Sequence, residues 1–263
     1  MSARESARPA AHGAGRVDGG VAPVGATVRV TVPASTGNVG PGFDSLGLAL
    51  EHRDTVSLTR IREGLEFELH GEGSQDVPRT GEHLVLRAAQ AAFDAAGAGV
   101  LPPVRLTAHN VIPHGRGMGS SASAVVAGVL AGNALLPASA RLSDDALLQV
   151  CSRLEGHPDN VAPTLLGGLT ISWETEGHFH SVPMAVHPDV VPVVAVPDFE
   201  VATAVARGLF PRPWPTAARR SPRAGPRCSW RPSGSTPSCC WTPRTTCSTS
   251  PTARRPWRPA GSS

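Results

Sequence analysis

Alternation marks where the folded part of the chain begins. Thr27-Val28-Arg29-Val30-Thr31-Val32 alternates polar and β-branched apolar residues, which predicts a strand. Asp54 to Ile61 and Leu65 to Leu69 predict two more, joined through Arg62-Glu63-Gly64. Then the period changes. From Glu82 to Ala96, residues Leu84, Ala88, Ala91 and Ala92 fall on one side of a helix, with Gly97 as its stop. Val104 to Ile112 returns to a strand pattern. Val125 to Leu135 is Ala, Gly and Val nearly all round, which suits a helix buried on every side. Ser143-Asp144-Asp145 starts another: the serine caps and the two acids favour the helix dipole. Leu147, Leu148, Cys151 and Leu154 form its apolar side, and Cys151 reads as a small core residue. Gly168 to Trp173 and Val190 to Val196 predict further strands.

The pattern fails at both ends. Residues 1–26 are rich in Ala, Gly and Arg, with no apolar stretch of a secretory signal, and predict a disordered extension. From about Pro211 onward no period of strand or helix survives. The chain as a whole has 26 prolines and no tyrosine. Cys228, Cys239, Cys240 and Cys247 fall in this tail, at spacings that suit neither a disulfide framework nor a zinc site. The genetic code offers another explanation. Cys239-Cys240-Trp241-Thr242 must be encoded TGY-TGY-TGG-ACN, and moving the frame by one base reads Leu-Leu-Asp whatever codons were used. With G/C-ending codons, Cys228 to Arg244 becomes an amphipathic helical pattern. One base gained or lost between Arg207 and Trp214 accounts for the change, and residues 212–263 are expected to be an out-of-frame, disordered tail.

Charge and apolar content narrow the function classes. The formal net charge is +3, and the basic excess sits mostly in the tail, so a nucleic-acid partner gains no support. No apolar run reaches about 18 residues, so no membrane span is expected. The expected compartment is the cytoplasm.

Candidate chemistry gathers in four places. Between the Val104 strand and the Val125 helix lies Pro113-His114-Gly115-Arg116-Gly117-Met118-Gly119-Ser120-Ser121-Ala122-Ser123. Glycines let the backbone approach a ligand closely, and the helix start offers free N–H groups, a combination that suits phosphate. It is neither a Walker A loop nor a dinucleotide fingerprint. Pro33 to Leu50 is a Gly- and Pro-rich loop in which Asn38 and Asp44 offer an amide and a carboxylate, groups that also cap turns. Glu155-Gly156-His157-Pro158-Asp159-Asn160 places two carboxylates, an imidazole and an amide together. Phosphoryl transfer needs a hard cation and a group that orients the nucleophile, and this cluster can supply both. Thr203 and Arg207 are four apart, so a helix would set a hydroxyl beside a guanidinium, suited to a carboxylate or phosphate.

Pro-x-x-x-Gly-x-Gly-Ser-Ser-Ala-Ser resembles the ATP loop of the GHMP kinases, with Met118 where that family usually has Leu. The Pro33 to Leu50 segment and Glu-Gly-His-Pro-Asp-Asn-x-x-Pro resemble the homoserine kinase branch of the family. The resemblance runs from about Thr27 to Pro211. It implies an α+β GHMP kinase fold of two domains: an ATP-binding domain over 27–180, the start of the second over 181–211, and the rest of the second truncated or non-native. It implies ATP-dependent phosphorylation of L-homoserine in threonine biosynthesis, with ATP and Mg²⁺ as cofactors and a possible homodimer. Residues Pro113 to Ser123 would bind ATP. Glu155 with Ser120 or Ser121 would hold Mg²⁺. Asn38, Asp44, His157, Asn160, Thr203 and Arg207 would bind substrate, and Asp159 and Glu155 would be catalytic. Another small-alcohol kinase of the family, or an inactive truncated product, are the alternatives.

Overall fold

The structure, a computed structural model, describes residues 20–40 and 42–199. Strands β1 (Thr27–Gly37), β2 (Leu46–Arg60), β3 (Leu65–Gly71), β4 (Val104–Asn110), β5 (Leu169–Thr175) and β6 (His178–Met184) form one sheet. Its order is β3-β4-β2-β5-β6, with β1 paired to β2. β2 organises it. Its last residues pair with β4 (Thr55 opposite His109, Arg60 opposite Val104), and its first pair with β5 (Leu46 opposite Ile171). β1 runs antiparallel along β2 throughout, with an irregularity between Pro33 and Ser35.

β3 and β4 are the parallel pair, and helix α1 (Leu84–Ala95) is the crossover that parallel strands require. α2 (Ser120–Leu135) follows β4, and α3 (Asp144–Glu155) and the short α4 (Val161–Leu166) complete the helical layer. α2 lies against α1 at close range. A Cβ added at Gly128 or Gly132 would collide with the carbonyls of Val85 and Ala89. The predicted all-round burial of α2 follows, with Val125, Val126, Val129 and Leu135 fully enclosed. Ser143 caps α3 by accepting from the Ala146 N–H, as expected. Cys151 is buried, and that burial, with Glu155 nearby, pushes its thiol up to about 12. It is a core residue.

Three expectations are corrected. Residues 20–26 are ordered, not part of a disordered extension: the Arg60 guanidinium donates to the carbonyls of Val21 and Ala22, and the Ala22 N–H bonds the end of α2 at Leu135. The Pro33 to Leu50 segment is mostly strand, because Pro33 sits beside the irregularity of the β1–β2 ladder, where a missing N–H is tolerated. Val190 to Val196 is not a strand: it has no partner among the described residues, and Val191 and Val193 are exposed. Glu176-Gly177, both with positive φ, turns β5 into β6, so the hairpin carries the sheet to Met184.

Candidate active site

Three segments far apart in sequence meet at Ser35. This residue is fully buried at the end of β1. Its N–H donates to the carbonyl of Met118 in the glycine loop at 3.1 Å. Its hydroxyl donates to Asn160 Oδ1 at 3.2 Å. Gly119 packs so closely that a Cβ there would collide with the Ser35 hydroxyl. The sequence nominates Asn38 and Asp44 from this segment and gives Ser35 no signal that sets it apart.

The loop before α2 is held by its buried members. Met118 packs with Ile112 and Ala34, and the Ser123 hydroxyl donates to the Pro33 carbonyl at 3.1 Å. Gly115, Gly117 and Gly119 all adopt positive φ. A Cβ on Gly117 would point into open space, so the loop leaves room on that side for a close approach. The N-terminus of α2 thus faces outward with Ser120 and Ser121 in its first turn, a setting that favours anions.

Opposite it stands Glu155. A carboxylate at the last position of α3 opposes that helix's own dipole. It gains instead from the start of α2, where Ser121 Oγ donates to Glu155 Oε1 at 2.5 Å. The predicted choice between Ser120 and Ser121 is thereby narrowed in geometry to Ser121 as the partner of Glu155. One hydroxyl and one carboxylate, both hard oxygen donors, fit a small divalent cation that keeps several waters. No group of three or more His, Cys, Asp or Glu side chains placed to hold a metal ion occurs among the described residues.

Asp159 lies beyond the turn. It is completely buried, and its Oδ1 is 2.6 Å from His157 Nδ1. Its Oδ2 has no hydrogen-bond partner among the described residues. A buried, unpaired carboxylate oxygen is costly to fold. The chain approaches it closely from two sides. Gly37 and Gly47 are opposite each other in the β1–β2 ladder. A Cβ at Gly37 would collide with Asp159 Oδ2, and one at Gly47 with the Asp159 carbonyl.

Asn38 and Asp44 sit in the turn that starts beside Gly37. Both have positive φ, and Asn38 Oδ1 accepts the Asp44 N–H at 2.9 Å. The Asn38 side chain therefore shapes the turn. Pro41, Thr203 and Arg207 lie outside the described residues.

A cleft of about 290 Å³ opens on the other side of the loop. Val56, Val77, Pro78, Leu84 and Ala108 give it apolar walls, and His114, Ser120 and Ser121 connect it to the glycine loop. Two further polar residues line it that the sequence reading missed, His83 and Asp54. His83 is buried and caps α1, its Nδ1 accepting the Val85 N–H at 3.3 Å. Burial, and the neighbouring His114, hold its pKa below the ordinary value. Asp54 accepts two consecutive amides, Val111 and Ile112, on one oxygen at 2.6 and 2.9 Å.

Residues 83–168 match the GHMP kinases N terminal domain. A homoserine kinase of Streptomyces coelicolor is 47% identical over 191 residues, covering 72% of this chain and 62% of that protein. One of Corynebacterium glutamicum is 45% identical over 195 residues, with the same coverage of 72% and 62%. The crystal structure of homoserine kinase from Cytophaga hutchinsonii superposes with a TM-score of 0.58 at 28% identity, covering 71% of this chain and 61% of that one. The chain spans about 62% of the length of the curated relatives it matches.

Proposed function

We propose that this chain, whose residues 83–168 match the GHMP kinases N terminal domain, derives from an enzyme that phosphorylates the hydroxyl of L-homoserine with ATP. The observation that carries this reading is the convergence on Ser35 of the glycine loop, the Pro33–Gly47 strands and the Glu155–Asn160 turn. The apolar cleft takes the base of the nucleotide, and Pro113 to Ser123 cradle its phosphates through loop amides and the start of α2. Ser121 and Glu155 hold Mg²⁺, with Ser120 beside them. When bound, that ion neutralises charge on the transferring phosphoryl group.

The chain's own groups do the rest. Asn38 and Asp44 form a shaped turn beside Gly37, on the acceptor side of the loop, and Asn160 lies at its border. His157 holds one oxygen of Asp159, which leaves the other to accept the proton of the homoserine hydroxyl. Positioning of that hydroxyl in line with the terminal phosphate supplies much of the remaining rate. Thr203 and Arg207 are assigned to the amino acid's charged groups on the resemblance of their segment to homoserine kinases, with a spacing that suits it.

The test is a panel of alcohols offered with Mg²⁺ and ATP to two proteins, this chain and its frame-restored counterpart. Homoserine should be the preferred acceptor of the frame-restored protein. Preference for another alcohol would favour a different small-alcohol kinase. Activity confined to the frame-restored protein would identify this chain as an inactive product of the same gene.

A further inference from the structure

We propose that Asp54 is the positioning residue of the phosphate loop, a role that rests on the nucleotide-binding reading above. The residue lies in β2, outside the glycine loop and both other motifs. It occupies the point where two strands part. β2 pairs with β4 up to Thr55 opposite His109, and β4 ends at Asn110. The next two residues, Val111 and Ile112, have left the ladder, so their N–H groups need another acceptor. Asp54 Oδ1 takes both, at 2.6 and 2.9 Å.

That double acceptance fixes the direction in which the chain leaves the sheet. Ile112 is fully buried against Ala34 and Met118, and Pro113 follows with its constrained φ. The glycines that come next supply no stiffness of their own. Loop geometry at the phosphate side is therefore set by anchors at each end: Asp54 at its start, and Ser35 and Ser123 at its close.

A negative charge below a phosphate site needs a reason. Repulsion of the nucleotide makes carboxylate the wrong choice if a neutral side chain served equally, and burial opposes the charge as well. Asp54 is only 6% exposed, and that burial pushes its carboxyl above the ordinary range, against the pull of the two amides and His114. A carboxylate is, however, the strongest acceptor for two N–H groups at once. The loop's start needs that strength because no strand partner shares the load.

Calorimetric titration of the full chain with ATP and with adenosine tests the assignment. Loss of the anchor should weaken ATP, which uses the loop, more than adenosine, which uses only the cleft that Asp54 also lines. Asp54→Ala should raise the Kd for ATP by about tenfold or more, and by at least about threefold more than it raises the Kd for adenosine. Asp54→Asn keeps a weaker acceptor at the same place and should recover part of the ATP affinity lost in Asp54→Ala. Equal losses for ATP and adenosine, or an Asp54→Ala protein that binds ATP as the parent does, would overturn the proposal. So would a folded Asp54→Asn protein as impaired as Asp54→Ala. Should Asp54→Ala fail to fold, amide exchange in the parent decides. The Val111 and Ile112 amides should exchange slowly, and fast exchange removes the anchor whether or not nucleotide binds. A parent chain that binds neither ligand while those amides are protected refutes the nucleotide reading, and the positioning role with it.

Discussion

Glu155 and His83 show how much one residue's surroundings decide. A carboxylate at a helix C-terminus is unfavourable by itself, and Glu155 is held there by the hydroxyl of Ser121, which donates to it at 2.5 Å. In the frame-restored protein Glu155→Gln should lower kcat by about tenfold or more with homoserine KM little changed, because the lost charge acts on the transition state. Steady-state kinetics with near-parental kcat would leave Glu155 a helix-end residue only. His83 caps α1 only while Nδ1 is unprotonated, and burial, with His114, lowers its pKa from 6.5. The unfolded chain therefore binds the proton first as pH falls. Stability from His83 is fully present above about 6.5 and is lost as pH falls through the lower native value. His83→Asn keeps a capping oxygen without the titration, so denaturation midpoints below pH 6.5 should fall less steeply than in the parent.

At the scale of elements, the long periodic segments were legible in the sequence and the site's framing was not. The cap at Ser143, the burial of Cys151 and the all-apolar α2 follow from local chemistry. The glycine loop and the Glu155–Asn160 turn were nominated from residue types that phosphate and cations require. What failed depended on partners. Pro33 looked like a strand end, yet β1 continues to Gly37 because the ladder with β2 absorbs the irregularity. Val190 to Val196 has strand composition and no strand to pair with among the described residues. Ser35, Asp54 and His83 were invisible because each acts through a residue distant in sequence. The pair Gly37 and Gly47 was likewise unreadable as a pair, since only the β1–β2 register sets them opposite each other against Asp159. Gly47→Ala would drive a methyl into the Asp159 carbonyl, so it should cost about 1–3 kcal/mol of stability. A chemical denaturation curve unchanged by the substitution would show that the turn yields freely and that Gly47 does not seat it.

The whole molecule carries an inverted hairpin. On β5 and β6 the small polar side chains Thr170 and Ser172 are buried, while Ile171, Trp173, Val182 and Met184 are exposed. Ile171 lies opposite Val182 and Leu169 opposite Met184, so the exposed members form one cross-strand apolar face. Trp173 stacks on His180 at its far end. Continuous apolar area of this kind marks a surface that is normally covered. The relatives it matches are longer, since this chain spans about 62% of them, and the family likeness in the sequence stops near Pro211. Restoring the reading frame between Arg207 and Trp214 would return the Leu-rich pattern in place of the Cys-, Pro- and Arg-rich one. If the missing pattern is what covers the hairpin, the frame-restored protein should bind an apolar-surface dye more weakly than this chain and remain monodisperse at concentrations where this chain associates. Trp173→Ser with Val182→Thr should bring the dye binding of this chain down toward that of the restored protein. Equal dye binding by both proteins would show that the restored segment does not cover the hairpin face.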